Sequence, residues 1–97
     1  MTQYRDIVIE TYQAHGESSS RAIRARPLAG QGLSTGLKVE CHTRMRNAYP
    51  VGTKLLIRAK VTEAYGVTFL YTYYGWSYQV LSALEAREHI EKNNPPQ

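Results

Sequence analysis

Residues 54–62, KLLIRAKVT, alternate as a half-buried strand must. Leu55, Ile57, Ala59 and Val61 fall on one face; Lys54, Leu56, Arg58, Lys60 and Thr62 fall on the other. The segment EAYG follows, with Gly66 free to take positive φ, and then VTFLYTYY, a run of β-branched and aromatic residues from Val67 to Tyr74. Strand, turn and strand make a hairpin, and a lone hairpin is marginal in water. The rest of the chain must supply further strands to cover its apolar face.

It does so in short pieces. Ile7, Val8 and Ile9 mark a strand over 4–12, and 15–20, HGESSS, is a polar turn. RAIRAR then returns as a strand with Ile23 and Ala25 on one face and Arg24 and Arg26 on the other; Pro27, lacking an N–H, ends it. Residues 27–36 hold Gly30, Gly32 and Gly36 and no charge, which marks a loop. A short strand over 37–42 and a helical turn over 43–48 come next, although Leu37, Cys41, Met45 and Ala48 also fit one helix face. Gly75 breaks or bulges the aromatic strand, and Trp76 to Leu81 forms a last one. Ser82 and Glu85 have the spacing of a capping box, with Leu81 and Ala86 placed as a hydrophobic staple. One helix therefore starts at Ser82 and stops before Pro95 and Pro96.

The fold expected is mainly β (α+β). It is a small antiparallel barrel or strongly bent sheet of five to six strands, SH3-like or OB-like, with one C-terminal helix. A curved sheet with the helix on one face is the alternative. Residues 1–92 make one domain and 93–97 a frayed tail. Leu, Ile, Val and Phe number only 20, so eight tyrosines and Trp76 must supply apolar area. Two faces of the return strand compete for the core. The register that buries Phe69, Tyr71 and Tyr73 with Leu55, Ile57 and Ala59 is preferred. It would place Thr68, Thr72 and Tyr74 on the basic face without burying charge.

Charge is unevenly spread. Between Ser18 and Thr62 stand nine cations (Arg21, Arg24, Arg26, Lys38, Arg44, Arg46, Lys54, Arg58 and Lys60) against Glu40 alone, a charge of +8. The remainder has three cations and seven acids, a charge of −4, giving the net +4. Such a field favours a polyanion, and cations interleaved with aromatics suit a single strand of nucleic acid. The residues expected to bind it are Arg24, Arg26, Arg44, Arg46, Lys54, Arg58, Lys60, Tyr74, Trp76 and Tyr78. No base-reading motif is visible, so weak sequence preference is expected.

Other chemistry finds less support. Cys41 and His42 are adjacent, and on a strand they would point to opposite faces, so they make no dyad. Asp6 and Glu10 read as a solvated edge. His15, His42 and His89 lack metal-ligand spacing, and Gly30-Gln31-Gly32 lacks the rest of a dinucleotide fingerprint. The expectation is a non-enzyme without cofactor or metal. A lone cysteine excludes an intrachain disulfide. With no signal peptide and no membrane-spanning run, a cytoplasmic protein is expected. The alternative function is a protein-interaction or self-assembling homodimeric β-domain binding an acidic partner, or a small-molecule pocket lined by Tyr71, Tyr73 and Trp76.

Overall fold

The computed structural model describes residues 4–13, 23–41, 43–73 and 75–94. Among these residues, six strands and two helices follow in chain order: β1 (Arg5–Gln13), β2 (Ile23–Pro27), β3 (Lys38–Glu40), α1 (Thr43–Asn47), β4 (Lys54–Ala64), β5 (Val67–Tyr71), β6 (Gln79–Leu81) and α2 (Ala83–Asn93). The strands form a nearly closed, barrel-like sheet in the order β2-β1-β4-β5-β3, with β6 also on β4. All pairs are antiparallel except β3–β5, which is parallel. The two ends of the order, β2 and β3, lie side by side and leave a seam where closure is incomplete. Among the described residues, no helix is long and apolar enough to cross a membrane.

Strand alternation sets two apolar clusters. Ile7, Ile9, Ala25, Leu55, Ile57, Ala59 and Leu70 point into the barrel, where Val39 and Met45 join them. Outside the barrel, Val8 and Leu56 lie opposite one another on β1 and β4, and Ala86 of α2 packs there together with Leu81 at the end of β6. The capping box is formed: Ser82 Oγ accepts from the Glu85 N–H at 3.1 Å, and Glu85 Oε1 accepts from the Ser82 N–H at 2.8 Å. Both staple residues, Leu81 and Ala86, are buried in the outer cluster. The cap thus fixes where the helix starts, and the staple fixes the face it presents to the sheet.

Pro27 is the last residue of β2, opposite Ile9. Val8 turns its backbone groups toward the β2 side, where its carbonyl accepts from the Leu28 N–H at 3.1 Å. Ile9 therefore turns its own toward β4, and the missing proline N–H leaves no ladder bond unmade.

Two expectations are corrected. The tight turn is not four residues but two, Tyr65 and Gly66, with Ala64 paired to Val67. Both have positive φ, 53° and 74°, the signature of a type I′ hairpin. An even-numbered loop places Leu70 opposite Val61, Tyr71 opposite Lys60 and Phe69 opposite Thr62. The register that buries Phe69, Tyr71 and Tyr73 is therefore not the one formed. Leu70 and Thr72 are buried, Phe69 and Tyr71 are half-buried beside the outer-face cations, and Tyr73 is exposed. No charge enters the core, because the aromatic side of β5 is the wet side.

The second correction concerns the end of the hairpin. β5 stops at Tyr71 rather than Tyr74, and pairing on β4 resumes only at Gln79, opposite Leu56. Residues 72–78 stand opposite residues 57–59 alone, so the chain bulges away from the sheet there. Thr72 secures the break. Its hydroxyl donates to the Arg58 carbonyl at 2.6 Å, and its N–H reaches across to the Glu40 carbonyl at 3.2 Å. Backbone groups released from the β4–β5 ladder are thereby satisfied, as burial requires.

Candidate nucleic-acid interface

The outer face of β2-β1-β4 reads as rows across the sheet. Glu10 lies between Arg26 and Lys54, with ion pairs of 3.1 Å and 3.5 Å. Asp6 lies opposite Arg58, their charged atoms 3.5 Å apart. Arg26 also rests on the Tyr12 ring, 4.6 Å from its centroid, and Lys60 on the Tyr4 ring at 5.0 Å. Carboxylates of the first strand thus neutralise Arg26, Lys54 and Arg58. The field on this face is weaker than the linear charge count implies.

A second group of cations gathers at the seam. There a pocket of about 200 Å³ is lined by Arg24, Lys38, Arg46, Glu40 and Tyr12, with Ala25 and Val39 behind them. Among the described residues of that lining, three cations stand against one carboxylate. Arg46 is half-buried and donates to the Ile23 carbonyl at 3.4 Å, which ties α1 to β2. Arg44 is exposed on α1. The reason for this placement is local. α1 buries Met45 in the barrel, and its basic residues flank that anchor.

The bulge carries the aromatics. A Tyr73 carbonyl to Trp76 N–H bond of 3.1 Å closes a turn within it. The Trp76 indole makes edge-on contacts with Tyr4 (centroids 4.7 Å apart) and Tyr73 (5.6 Å). It remains 38% exposed. A side chain at Gly75 would strike the Tyr73 ring, so glycine is what lets the turn close against that ring. Tyr78 packs edge-on to Tyr49, and their hydroxyls lie 3.2 Å apart. That hydrogen bond, more than its slight desolvation, raises the Tyr78 pKa.

The structure therefore separates the expected site residues. Arg24 and Arg46 meet at the seam, with Arg44 on the same helix as Arg46. Arg26, Lys54, Arg58 and Lys60 lie on the outer face, the first three ion-paired and Lys60 on a ring. Trp76 and Tyr78 are on the bulge, and Tyr74 lies outside the described residues. Sequence reasoning left out Lys38, Tyr12, Tyr4 and Tyr49. Lys38 was the accessible one, since Val39 inward on the expected short strand places Lys38 outward. Tyr4 follows only from the β1–β4 register, and Tyr49 had no sequence signal.

For nucleophilic chemistry, Cys41 is poorly suited. Burial pushes its thiol from the ordinary 9.0 up to about 11; Arg46 pulls it down and Glu40 adds to the rise. Among the described residues no three His, Cys, Asp or Glu side chains converge as a metal site. His42 lies outside the described residues. Comparison with protein-family models, curated proteins and solved structures finds no match for this chain.

Proposed function

We propose that this chain is a small non-catalytic module that binds single-stranded nucleic acid. Phosphates sit at the β2–β3 seam, and bases stack on the aromatic bulge. The observation that carries this reading is the seam pocket, a polar hollow whose lining among the described residues holds Arg24, Lys38 and Arg46 with one acid, Glu40. Cations held by folded backbone around a concavity need little reorganisation to meet a phosphate. Exposed Trp76 and Tyr78 supply the stacking surface that single-strand binders use, worth roughly 1–3 kcal/mol per base. The ion-paired outer face contributes less.

A salt titration of binding to fluorescent oligothymidylate tests the reading. Each phosphate neutralised contributes a slope of about 0.7 in log K against log salt for a single strand. Three to four contacts at the seam predict a slope of about 2–3, lowered by about one or more in an Arg24→Gln/Lys38→Gln variant and little changed in Arg26→Gln. Absence of binding at low salt removes the proposal.

A second reading has one observation in its favour. Among the described residues β6 pairs with β4 alone, and Val80 on it and Leu84 just beyond are 44% and 55% exposed. A second copy adding along that edge would cover both. Light scattering across a dilution series distinguishes a concentration-dependent dimer from a monomer that binds oligonucleotide.

A further inference from the structure

We propose that the groove beneath the aromatic bulge recognises guanine. The claim rests on the nucleic-acid reading and names the base. The groove, about 560 Å³, runs between the bulge and the outer face of β4, with Trp76, Ser77, Tyr78, Asp6, Arg58 and Leu56 among its lining residues. Trp76 forms a wall, fixed by Tyr4 and Tyr73 at its edges. Asp6 and Arg58 bring a carboxylate and a guanidinium to the same groove, and their side chains are 56% and 55% exposed, open to a ligand.

The selection follows from donors and acceptors. An ionised carboxylate only accepts, and it accepts best from two adjacent N–H groups. Guanine presents such a pair, N1–H beside the N2 amino group. Adenine and cytosine each set one amino donor beside a ring-nitrogen acceptor, which would face a carboxylate oxygen with lone pair against lone pair. Uracil and thymine offer one N–H between two carbonyls. With the base stacked on Trp76 and its Watson–Crick edge on Asp6, the Arg58 N–H groups other than those of Nη1, which bonds Asp6, can serve O6 or a phosphate. An ion pair this exposed stabilises the fold little, so its place under an indole wall is not accounted for by folding energy.

Trp76 is the single tryptophan of the chain, so its emission reports on this groove directly. Guanosine and the nucleosides adenosine, cytidine and uridine are titrated against intrinsic fluorescence, with calorimetry alongside. Guanosine is expected to bind at least about tenfold tighter than the others, as one good bidentate contact allows. Asp6→Asn presents one donor and one acceptor, so it should erase the preference while leaving salt-dependent oligothymidylate binding in place. Equal binding of all four nucleosides, or of none, overturns the guanine claim, and an unchanged preference in Asp6→Asn overturns it too. Oligothymidylate separates this outcome from failure of the wider reading. If it binds with a salt slope but guanosine shows no preference, only the base assignment falls. If guanosine is selected but no oligonucleotide shows a salt slope, the groove is a nucleoside site and the seam is not a phosphate site.

Discussion

The side-chain amide of Gln31 takes the place of a strand opposite Val8. Its Nε2 donates to the Val8 carbonyl and its Oε1 accepts from the Val8 N–H, both at 2.8 Å. β2 has ended at Pro27, and without Gln31 the buried Val8 N–H would lose its partner, while the carbonyl would keep only the Leu28 N–H. A third bond, Nε2 to the Leu28 carbonyl at 2.9 Å, holds the loop in place. At 2% exposed, Gln31 has no access to water as a substitute partner.

Replacing Gln31 by Ala should therefore cost about 1–3 kcal/mol, the cost of one buried polar group, the Val8 N–H, left without a partner. Gln31→Glu makes a sharper test. At neutral pH it removes the donor and buries a charge; once protonated in acid, it can donate again. Its deficit relative to the parent in urea unfolding should shrink as pH falls toward 4. A loss below about 0.5 kcal/mol in Gln31→Ala, within the range of ordinary surface substitutions, would refute the bridging role.

Tyr65 sits at the hairpin tip with φ of 53° and no burial at all. A left-handed backbone costs a non-glycine residue about 1 kcal/mol, and asparagine tolerates it better than tyrosine. Tyr65→Asn should raise stability by about 0.5–1 kcal/mol, seen as a thermal midpoint several degrees higher. A lower midpoint would mean that Tyr65 makes a stabilising contact the fold does not reveal.

Gly75→Ala should act locally. The added methyl group meets the Tyr73 ring, which must swing away from its edge-on contact with Trp76. Expected are a shifted Trp76 emission maximum and weaker oligonucleotide binding, with the unfolding midpoint little changed because this segment is exposed. An unaltered emission spectrum would show that the Tyr73 contact does not hold the indole.

Much of the architecture could be read in advance because period-two alternation is a local property. Leu55 through Val61, Ala25 and the Ser82 cap announce themselves within a few residues. Gly75 announced a break in the aromatic strand, but its onset at Thr72 could not be read, because Thr72, Tyr73 and Tyr74 are good β-formers in isolation; a tertiary bond from Thr72 to Arg58 marks where the strand ends. Gln31 looked like any polar loop residue among glycines, since its partner Val8 lies far away in sequence. The charge pairing was hidden but recoverable. Asp6 and Glu10 have the same spacing as Lys54 and Arg58, and antiparallel pairing sets Asp6 against Arg58 and Glu10 against Lys54. A linear charge count cannot see this, so it overstated the field.

Cys41 should be inert at neutral and mildly alkaline pH. With its thiol near 11 instead of 9.0, the thiolate fraction at pH 8 falls about a hundredfold. A disulfide reagent should label the native chain slowly and the urea-unfolded chain fast. The sign of the linkage follows from the raised pKa. The folded state holds the proton more tightly, so this contribution to stability is complete below pH 9 and is lost as pH rises toward 11. Rapid labelling of the folded chain at pH 8 would place the thiol in water.

Glu10 bridges Arg26 and Lys54 through separate oxygens, at 3.1 Å and 3.5 Å. Glu10→Gln keeps the shape, removes one negative charge and releases two cations on the outer face. If a bound strand passes that face, affinity for oligothymidylate should rise about two- to fivefold at low salt, and the gain should fade as ionic strength shortens the Debye length. The stability cost should stay within about 0–1 kcal/mol, as expected for partly exposed ion pairs. The parallel measurement is Lys38→Gln at the seam, which should weaken binding. Opposite responses would place both faces in one footprint, with the acid on β1 acting as a brake. If Glu10→Gln leaves affinity unchanged while Lys38→Gln lowers it, the strand is held at the seam alone and the outer-face cations serve the fold.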